Sequence, residues 1–340
     1  MKLLVTGASG FLGKYVVAEA LSRGHSVRAM VRPGVDVGEL PWDGHERLDY
    51  ARVDLRSRRG LADAIAGVDA VLHVAAKTSG DVYAQMEGTV VATENLLVAM
   101  QDAGINRLIL VSSFSVYEYL HRWSFATVNE RSPLESRPLD RDAYTFSKLA
   151  QEQLARRFSD EHNWKLTVLR PGVIFGPGKT VNARLGMQTK DFWFTFTGWA
   201  RVPLTYVEHC ALAIVLAAET DAAAGESINV VDDNPPTQWG YISRVSKYLY
   251  PRPVPVPVPW MMLRALARTA VWTNRLVFKD KARLPSILVP CRQHARFKPL
   301  RYPNTRLRDV LGWTPRYTLE QALALCYGER PDAPDSGHSA

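Results

Sequence analysis

Tyr144 and Lys148 stand four residues apart in Tyr-Thr-Phe-Ser-Lys, a spacing that sets both side chains on one face of a helix. A free phenol, with a pKa of about 10, is a weak base near neutrality. An ammonium one turn away, together with an oxidised nicotinamide, favours the phenolate and lowers that value. Tyr144 can then exchange a proton with a substrate hydroxyl or carbonyl while nicotinamide C4 exchanges a hydride. Ser113 ends the apolar run from Arg107 and can orient the same oxygen. Lys148 can also hold the nicotinamide ribose. Taken alone, Tyr-x-x-x-Lys more often marks an amphipathic helix, so the elements around it decide its meaning.

The element that must position a dinucleotide lies at the start of the chain. Leu3 to Val5 read as a buried strand and Phe11 to Leu21 as a helix, joined by Thr6-Gly7-Ala8-Ser9-Gly10 and followed by Leu12-Gly13. Such a bend aims bare N–H groups and a positive helix end at one point, which suits a phosphate. Gly7 allows the turn, Gly10 lets a pyrophosphate approach, and Gly13 lets the helix pack on the sheet. The spacing is Gly-x-x-Gly-x-x-Gly. A plain strand-to-helix turn is the bland alternative, and the flanking strand and helix argue against it.

Strand and helix then alternate. Ser26 to Arg32 reads as a second strand that stops at Pro33-Gly34. Arg32 stands near where a carboxylate would grip the adenosine ribose, and a guanidinium suits a 2′-phosphate instead. The sequence therefore predicts NADP(H) as the favoured cofactor, with NAD(H) as the alternative. Ala51 to Leu55 reads as a third strand, whose Asp54 can accept from the adenine amino group or cap a helix beginning near Ser57. Val68 to Ala76 reads as a fourth strand, its small Ala75 and Ala76 letting a cofactor lie close. His73 within it reads as a packed histidine. Thr89 to Ala103 reads as a helix, and Arg107 to Ser113 as a central strand buried on both faces. The expected cofactor crevice takes in Gly7, Ser9, Gly10, Phe11, Leu12, Gly13, Arg32, Asp54, Leu55, Ala75, Ala76, Tyr144 and Lys148. The expected fold is α/β, a doubly wound parallel Rossmann sheet with a smaller C-terminal substrate lobe.

At 340 residues and 46% hydrophobic, the chain can build such a core. Met1 runs straight into the first strand, so no signal peptide is expected, and no apolar run is long enough to span a membrane. Cys210, Cys291 and Cys326 lack metal spacing and read as reduced thiols, which points to the cytoplasm and to no metal. The net charge is +8, and Lys281 to Arg308 holds eight Lys or Arg and no acid. A solvated basic face, an anionic substrate and an anionic membrane surface all fit. No nucleic-acid-binding motif accompanies the charge.

In combination these stretches resemble the extended short-chain dehydrogenase/reductase family, within the NAD-dependent epimerase/dehydratase superfamily. Further matches are Val111-Ser112-Ser113-Phe114-Ser115-Val116-Tyr117, Leu169 to Gly178, and Leu311-Gly312-Trp313-Thr314-Pro315. The likeness spans about residues 1–327. It implies Ser113, Tyr144 and Lys148 as the catalytic set, and Pro171 and Val173 beside the nicotinamide carboxamide. Thr89 departs from it, standing where many members carry a supporting asparagine. Homodimers joined through the helices bearing Thr89 and Tyr144 are common in the family. The resemblance also implies a dinucleotide-binding domain over 1–170 with returning segments near 202–232, and a substrate lobe over 171–201 and 233–327. Residues 328–340 read as a disordered tail.

The lobe must choose the small-molecule substrate. Sugar-nucleotide dehydratases carry Asp-Glu where this chain has Phe114-Ser115. Epimerases usually carry Arg-x-Gly-Asp where it has Gln293-His294-Ala295-Arg296. Ile228 to Trp239, followed by prolines at alternate positions from Pro251 to Pro259 and an amphipathic helix from Trp260, is similar to the 3β-hydroxysteroid dehydrogenase and sterol-4-carboxylate 3-dehydrogenase branch. Lys190 to Trp199 is densely aromatic, as either core or an apolar pocket lining. The leading expectation is a dehydrogenase or reductase acting on an apolar, sterol-like or polyketide-like alcohol or ketone. A sugar-nucleotide epimerase is second and a cofactor-sensing binding protein third. The helix after Pro259 can be a lid, core, or a contact with a membrane surface.

Overall fold

The computed structural model describes residues 1–196, 200–279, 281–282 and 284–328. Its strands are β1 (Lys2–Thr6), β2 (Ser26–Val31), β3 (Leu48–Arg52), β4 (Ala70–His73), β5 (Arg107–Val111), β6 (Lys165–Pro171), β7 (Val173–Phe175), β8 (Met187–Gln188), β9 (Phe192–Thr195), β10 (Leu204–Tyr206), β11 (Ser227–Val230) and β12 (Val254–Pro257). Its helices are α1 (Phe11–Ser22), α2 (Leu61–Ile65), α3 (Val82–Gln85), α4 (Ala92–Asp102), α5 (Pro138–Arg141), α6 (Ala143–His162), α7 (Val207–Glu219), α8 (Gln238–Val245), α9 (Trp260–Val277), α10 (Pro290–Phe297), α11 (Thr305–Leu311) and α12 (Leu319–Cys326).

Seven strands form one parallel sheet in the order β11-β6-β5-β4-β1-β2-β3. A parallel sheet covered by helices must bury both faces, and the apolar strand runs meet that demand. On one face Leu3, Val5, Val27, Ala29 and Ile109 pack with Val16, Val17, Ile214 and Val215 from α1 and α7. On the other, Leu4, Met30, Val71 and Leu108 pack with Leu61, Leu96, Leu97 and Ala155 from α2, α4 and α6. Each of these Val, Leu, Ile and Met side chains contributes about 1.5–3 kcal/mol on leaving water. The α/β doubly wound reading is thereby borne out.

Several boundaries differ from the sequence reading. The third strand is Leu48–Arg52, which leaves Asp54 and Leu55 beyond its carboxyl end. The fourth strand stops at His73, so Val74 to Ala76 fall in the loop above it. In both cases the chain leaves the sheet where α/β folds open a crevice. Helix α2 starts at Leu61 after Gly60, so Asp54 does not cap it. The helix placed at Thr89 begins instead at Val82, capped by Asp81, and passes through a π-helical turn over Met86–Val91 before α4. Gly88, a poor helix former, hides that earlier start from propensity.

Beyond β6 the chain leaves the large sheet and returns. Strands β7 and β10 pair in parallel, and β11 closes the edge beside β6. Strands β12, β9 and β8 form a separate small sheet with β12 at its edge, where prolines without N–H groups are tolerated. In the aromatic run, Trp193 is buried and donates to Leu185 O, as core residues do. Thr197 to Trp199 lie outside the described residues, as does the expected tail beyond Gly328.

Candidate active site

Strand β1 ends at Thr6 and the chain turns through Gly7, at φ +69°, into α1. A Cβ on Gly13 would sit 2.0 Å from Gly7 O, and one on Gly10 would sit 3.1 Å from the same atom. Position 13 admits no side chain and position 10 has little room for one, so the bend carries little bulk. It opens into a crevice of about 660 Å³ at the carboxyl ends of the strands. Of the residues expected there from sequence, Gly7, Ser9, Gly10, Phe11, Leu12, Gly13, Arg32, Asp54, Leu55, Ala75, Ala76, Tyr144 and Lys148 all line it. A pocket of this size, faced by the N-terminal end of α1, fits an extended ligand with a pyrophosphate.

Ser113, Pro171 and Val173 do not line the crevice, and Ser112 and Ile174 stand there instead. Pro171 is taken up by pairing with Val230 at the sheet edge, and Val173 by pairing with Leu204. Ser113 caps the short turn Phe114–Val116, its hydroxyl accepting from Ser115 N at 3.1 Å, and it hydrogen-bonds Tyr144.

Helix α6 carries Tyr144 in its first turn. Asp142 caps that helix, accepting from Thr145 N at 2.7 Å. Burial holds the Tyr144 phenol above its ordinary value, with the Ser113 hydrogen bond lowering it and the Asp142 carboxylate raising it. The Lys148 ammonium points its hydrogens at Val111 O and Gln151 Oε1, both at 2.8 Å. Burial lowers Lys148 itself to about 7.

Beneath Lys148 lies a buried polar chain that sequence reasoning missed. Gln151 Nε2 donates to Thr93 Oγ1 at 2.8 Å, and His73 bridges Thr93 Oγ1 at 2.8 Å and Thr6 Oγ1 at 2.7 Å. Burial pushes His73 down to about 3, so it is neutral, a packed histidine. Thr89 is buried, accepts from Lys77 N at 3.0 Å and does not line the crevice. Glu152, one residue on, is paired with Arg170 at 2.7 Å and also accepts from Ser112. Gln151 and Glu152 follow Lys148 at three and four positions, the helical spacing that signals a shared face.

At the end of the crevice beyond β2 and β3, Asp54 is engaged by Arg56 at 2.6 Å, and Arg56 reaches Glu87 at 3.6 Å. Arg32 lines the same end and makes no ion pair among the described residues. Opposite the glycine bend, Lys179 Nζ stands 4.4 Å over the Phe11 ring, and both line the crevice. A smaller hollow of about 210 Å³ between α2 and α4 contains none of the expected residues.

Comparison with known proteins agrees with this architecture. The profile of the NAD dependent epimerase/dehydratase family matches residues 3–230. The chain is 26% identical over 332 residues to sterol-4-alpha-carboxylate 3-dehydrogenase, decarboxylating, of Bos taurus, covering 94% of this chain and 89% of that one. It is 27% identical over 353 residues to 3-beta-hydroxysteroid dehydrogenase of Mycolicibacterium neoaurum, covering 96% and 90%. In structure it is similar to UDP-glucuronic acid 4-epimerase of Bacillus cereus in complex with NAD, with a TM-score of 0.71, 20% identity, and 96% and 97% of the two chains covered. The chain belongs to the NAD dependent epimerase/dehydratase family and is an NAD(P)-dependent oxidoreductase of the extended short-chain dehydrogenase/reductase type.

Proposed function

We propose that the protein interconverts a secondary alcohol and a ketone on an apolar, sterol-like substrate, with NADP(H) favoured over NAD(H). The carrying observation is that the glycine bend, Tyr144 and Lys148 line one crevice. When bound, the dinucleotide supplies or takes up a hydride. Ser9, Phe11, Leu12 and Gly13 would hold its pyrophosphate through backbone N–H groups, while Gly7 and Gly10 shape the bend, the Gly10 N–H donating to Gly7 O at 2.9 Å. Arg32 would hold a 2′-phosphate, and Asp54 and Leu55 would meet the adenine. Ala75 and Ala76 would leave room beside the cofactor, and Ile174, which lines the crevice where the sequence reading had placed Pro171 and Val173, would flank the carboxamide.

Tyr144 would give its phenolic proton to the substrate oxygen in reduction and take it back in oxidation. Ser113, hydrogen-bonded to Tyr144, would orient that oxygen. Lys148, anchored from below by Gln151, would hold the ribose and balance charge as the phenol ionises. The relatives named for sterol-4-carboxylate and 3β-hydroxysteroid dehydrogenation favour an apolar substrate over a sugar nucleotide.

The test is a panel of 3β-hydroxysteroids, 3-ketosteroids and UDP-sugars, followed at the nicotinamide absorbance. Net oxidation or reduction with the steroids is expected. Epimer exchange of a UDP-sugar without net redox would overturn the reading in favour of an epimerase. Cofactor binding with no turnover on any member would favour a cofactor sensor.

The same reading includes a cytoplasmic enzyme whose Cys210, Cys291 and Cys326 remain unpaired thiols. It includes a homodimer through α4 and α6, by analogy with the family. It also includes a peripheral contact with a membrane, favoured by the apolar side chains that α9 exposes. Among the described residues, no helix is long and apolar enough to cross one.

A further inference from the structure

Helix α9 faces outward with its apolar side. Leu263, Ala267 and Asn274 share one stripe and are its buried residues, with Leu263 packed against Phe196 and Phe297. One residue further on, about 100° around the helix, Arg264, Arg268 and Arg275 repeat the same spacing and form a strip along one flank. The remaining arc, from opposite the buried stripe round to the flank away from the arginines, holds Met261, Met262, Leu266, Trp272, Leu276 and Val277. Each is between 55% and 67% exposed, and Phe278 beyond the end is 52% exposed. Only Ala265, Thr269 and Thr273 fill the gaps between them. An ordinary surface helix turns charges outward, and this one turns them sideways.

The charge around it is one-sided. From Asn234 to Arg308 the sequence holds a single acid, Asp280, against fifteen Lys and Arg. Arg244, Arg306 and Arg308 pair with Glu320, Glu226 and Asp233. Arg264, Arg268, Arg275 and Lys279 have no ion-pair partner among the described residues. A second copy docked through α9 would bring these cations together with no acid from either helix to meet them. A lipid surface with anionic headgroups meets both demands, acyl chains for the outward face and phosphates for the flank.

We propose that α9 lies flat on an anionic membrane, its Met261-to-Val277 face in the headgroup–acyl boundary and its flanking arginines against lipid phosphates. The proposal rests on the peripheral-contact reading above and gives it a surface, an orientation and a lipid class. It is independent of the reaction at Tyr144.

The full-length protein is sedimented with vesicles of phosphatidylcholine alone and of phosphatidylcholine with phosphatidylserine, at physiological salt. The unmodified protein should pellet with the phosphatidylserine vesicles, stay in solution with the neutral ones, and be released at high salt. Trp272→Glu/Leu276→Glu and Arg268→Glu/Arg275→Glu should each lose pelleting while keeping the parent melting temperature and dinucleotide affinity. Absence of pelleting with phosphatidylserine vesicles, or equal pelleting with both, would overturn the proposal. So would a Trp272→Glu/Leu276→Glu variant that turns a dimer into a monomer with vesicle binding unchanged. Vesicle binding together with no turnover on any alcohol or ketone would leave this proposal standing and remove the reaction assigned above.

Discussion

Lys148 Nζ lies 2.8 Å from Gln151 Oε1, one turn along the same buried face of α6. Gln151 is itself fixed by Thr93, so the ammonium is held from below by a side chain that cannot swing away. A neutral amide oxygen supports the charge only weakly against burial, and Lys148 falls to about 7. Gln151→Glu puts a carboxylate at the same place. It should raise the Lys148 titration by at least about one pH unit, read as an upward shift of a limb in the pH profile of kcat/KM. A profile with every limb unmoved contradicts this placement of Gln151.

Lys148 also makes stability depend on pH. An unfolded lysine titrates near about 10.4, and the folded one near 7. Between those values the unfolded chain binds the extra proton, so folding grows more favourable as pH rises through the window. Below pH 7 both states carry the proton and the full burial penalty is present. The melting temperature of Lys148→Met relative to the parent should therefore be highest at pH 6–7 and fall as pH approaches 10. Thermal scans across that range check it, and a difference that is flat with pH contradicts it.

Arg170 and Glu152 form an ion pair that is almost wholly buried, and Arg170 also donates to the Tyr117 hydroxyl at 3.0 Å. Removing one partner strands a charge in the core. Arg170→Met should cost about 3–5 kcal/mol in denaturant unfolding, whereas Arg170→Met with Glu152→Leu should recover much of that loss. Equal losses in the single and double variants would mean that packing, and not the stranded carboxylate, carries the effect.

Arg32 carries the cofactor preference in this account. Arg32→Ala should raise the KM for NADPH by about tenfold or more, the worth of one charge-assisted contact, and leave that for NADH within about twofold. Steady-state kinetics with both cofactors decide it. A parent enzyme that already prefers NADH strongly would remove the premise.

The parts of the fold legible in the sequence were those written locally. The glycine bend, the apolar strands and the Tyr144–Lys148 spacing each sit within about a dozen residues. The family profile and the parallel sheet agree with what they implied. What stayed hidden joins distant segments. The chain Thr6, His73, Thr93, Gln151 and Lys148 draws on β1, β4, α4 and α6, and no local pattern announces such a meeting. The early start of the helix before Thr89 is masked by Gly88. The bounds of β3 differ from the sequence reading because Ala51 to Leu55 is the more apolar stretch, yet Val27 pairs with Leu48 and the strand ends at Arg52. The outward apolar face of α9 defeats patterning for another reason. Amphipathic spacing gives the stripe, and only the fold tells which side of it is covered.

The central claim is that the Tyr144 phenol exchanges the proton at the reacting carbon. Tyr144→Phe removes one oxygen and leaves the crevice shape intact. Turnover and dinucleotide affinity measured on this one variant test the claim most directly. The account predicts kcat lower by about 10²–10⁴-fold with the dinucleotide Kd unchanged within about threefold. Turnover at the parent rate would contradict it.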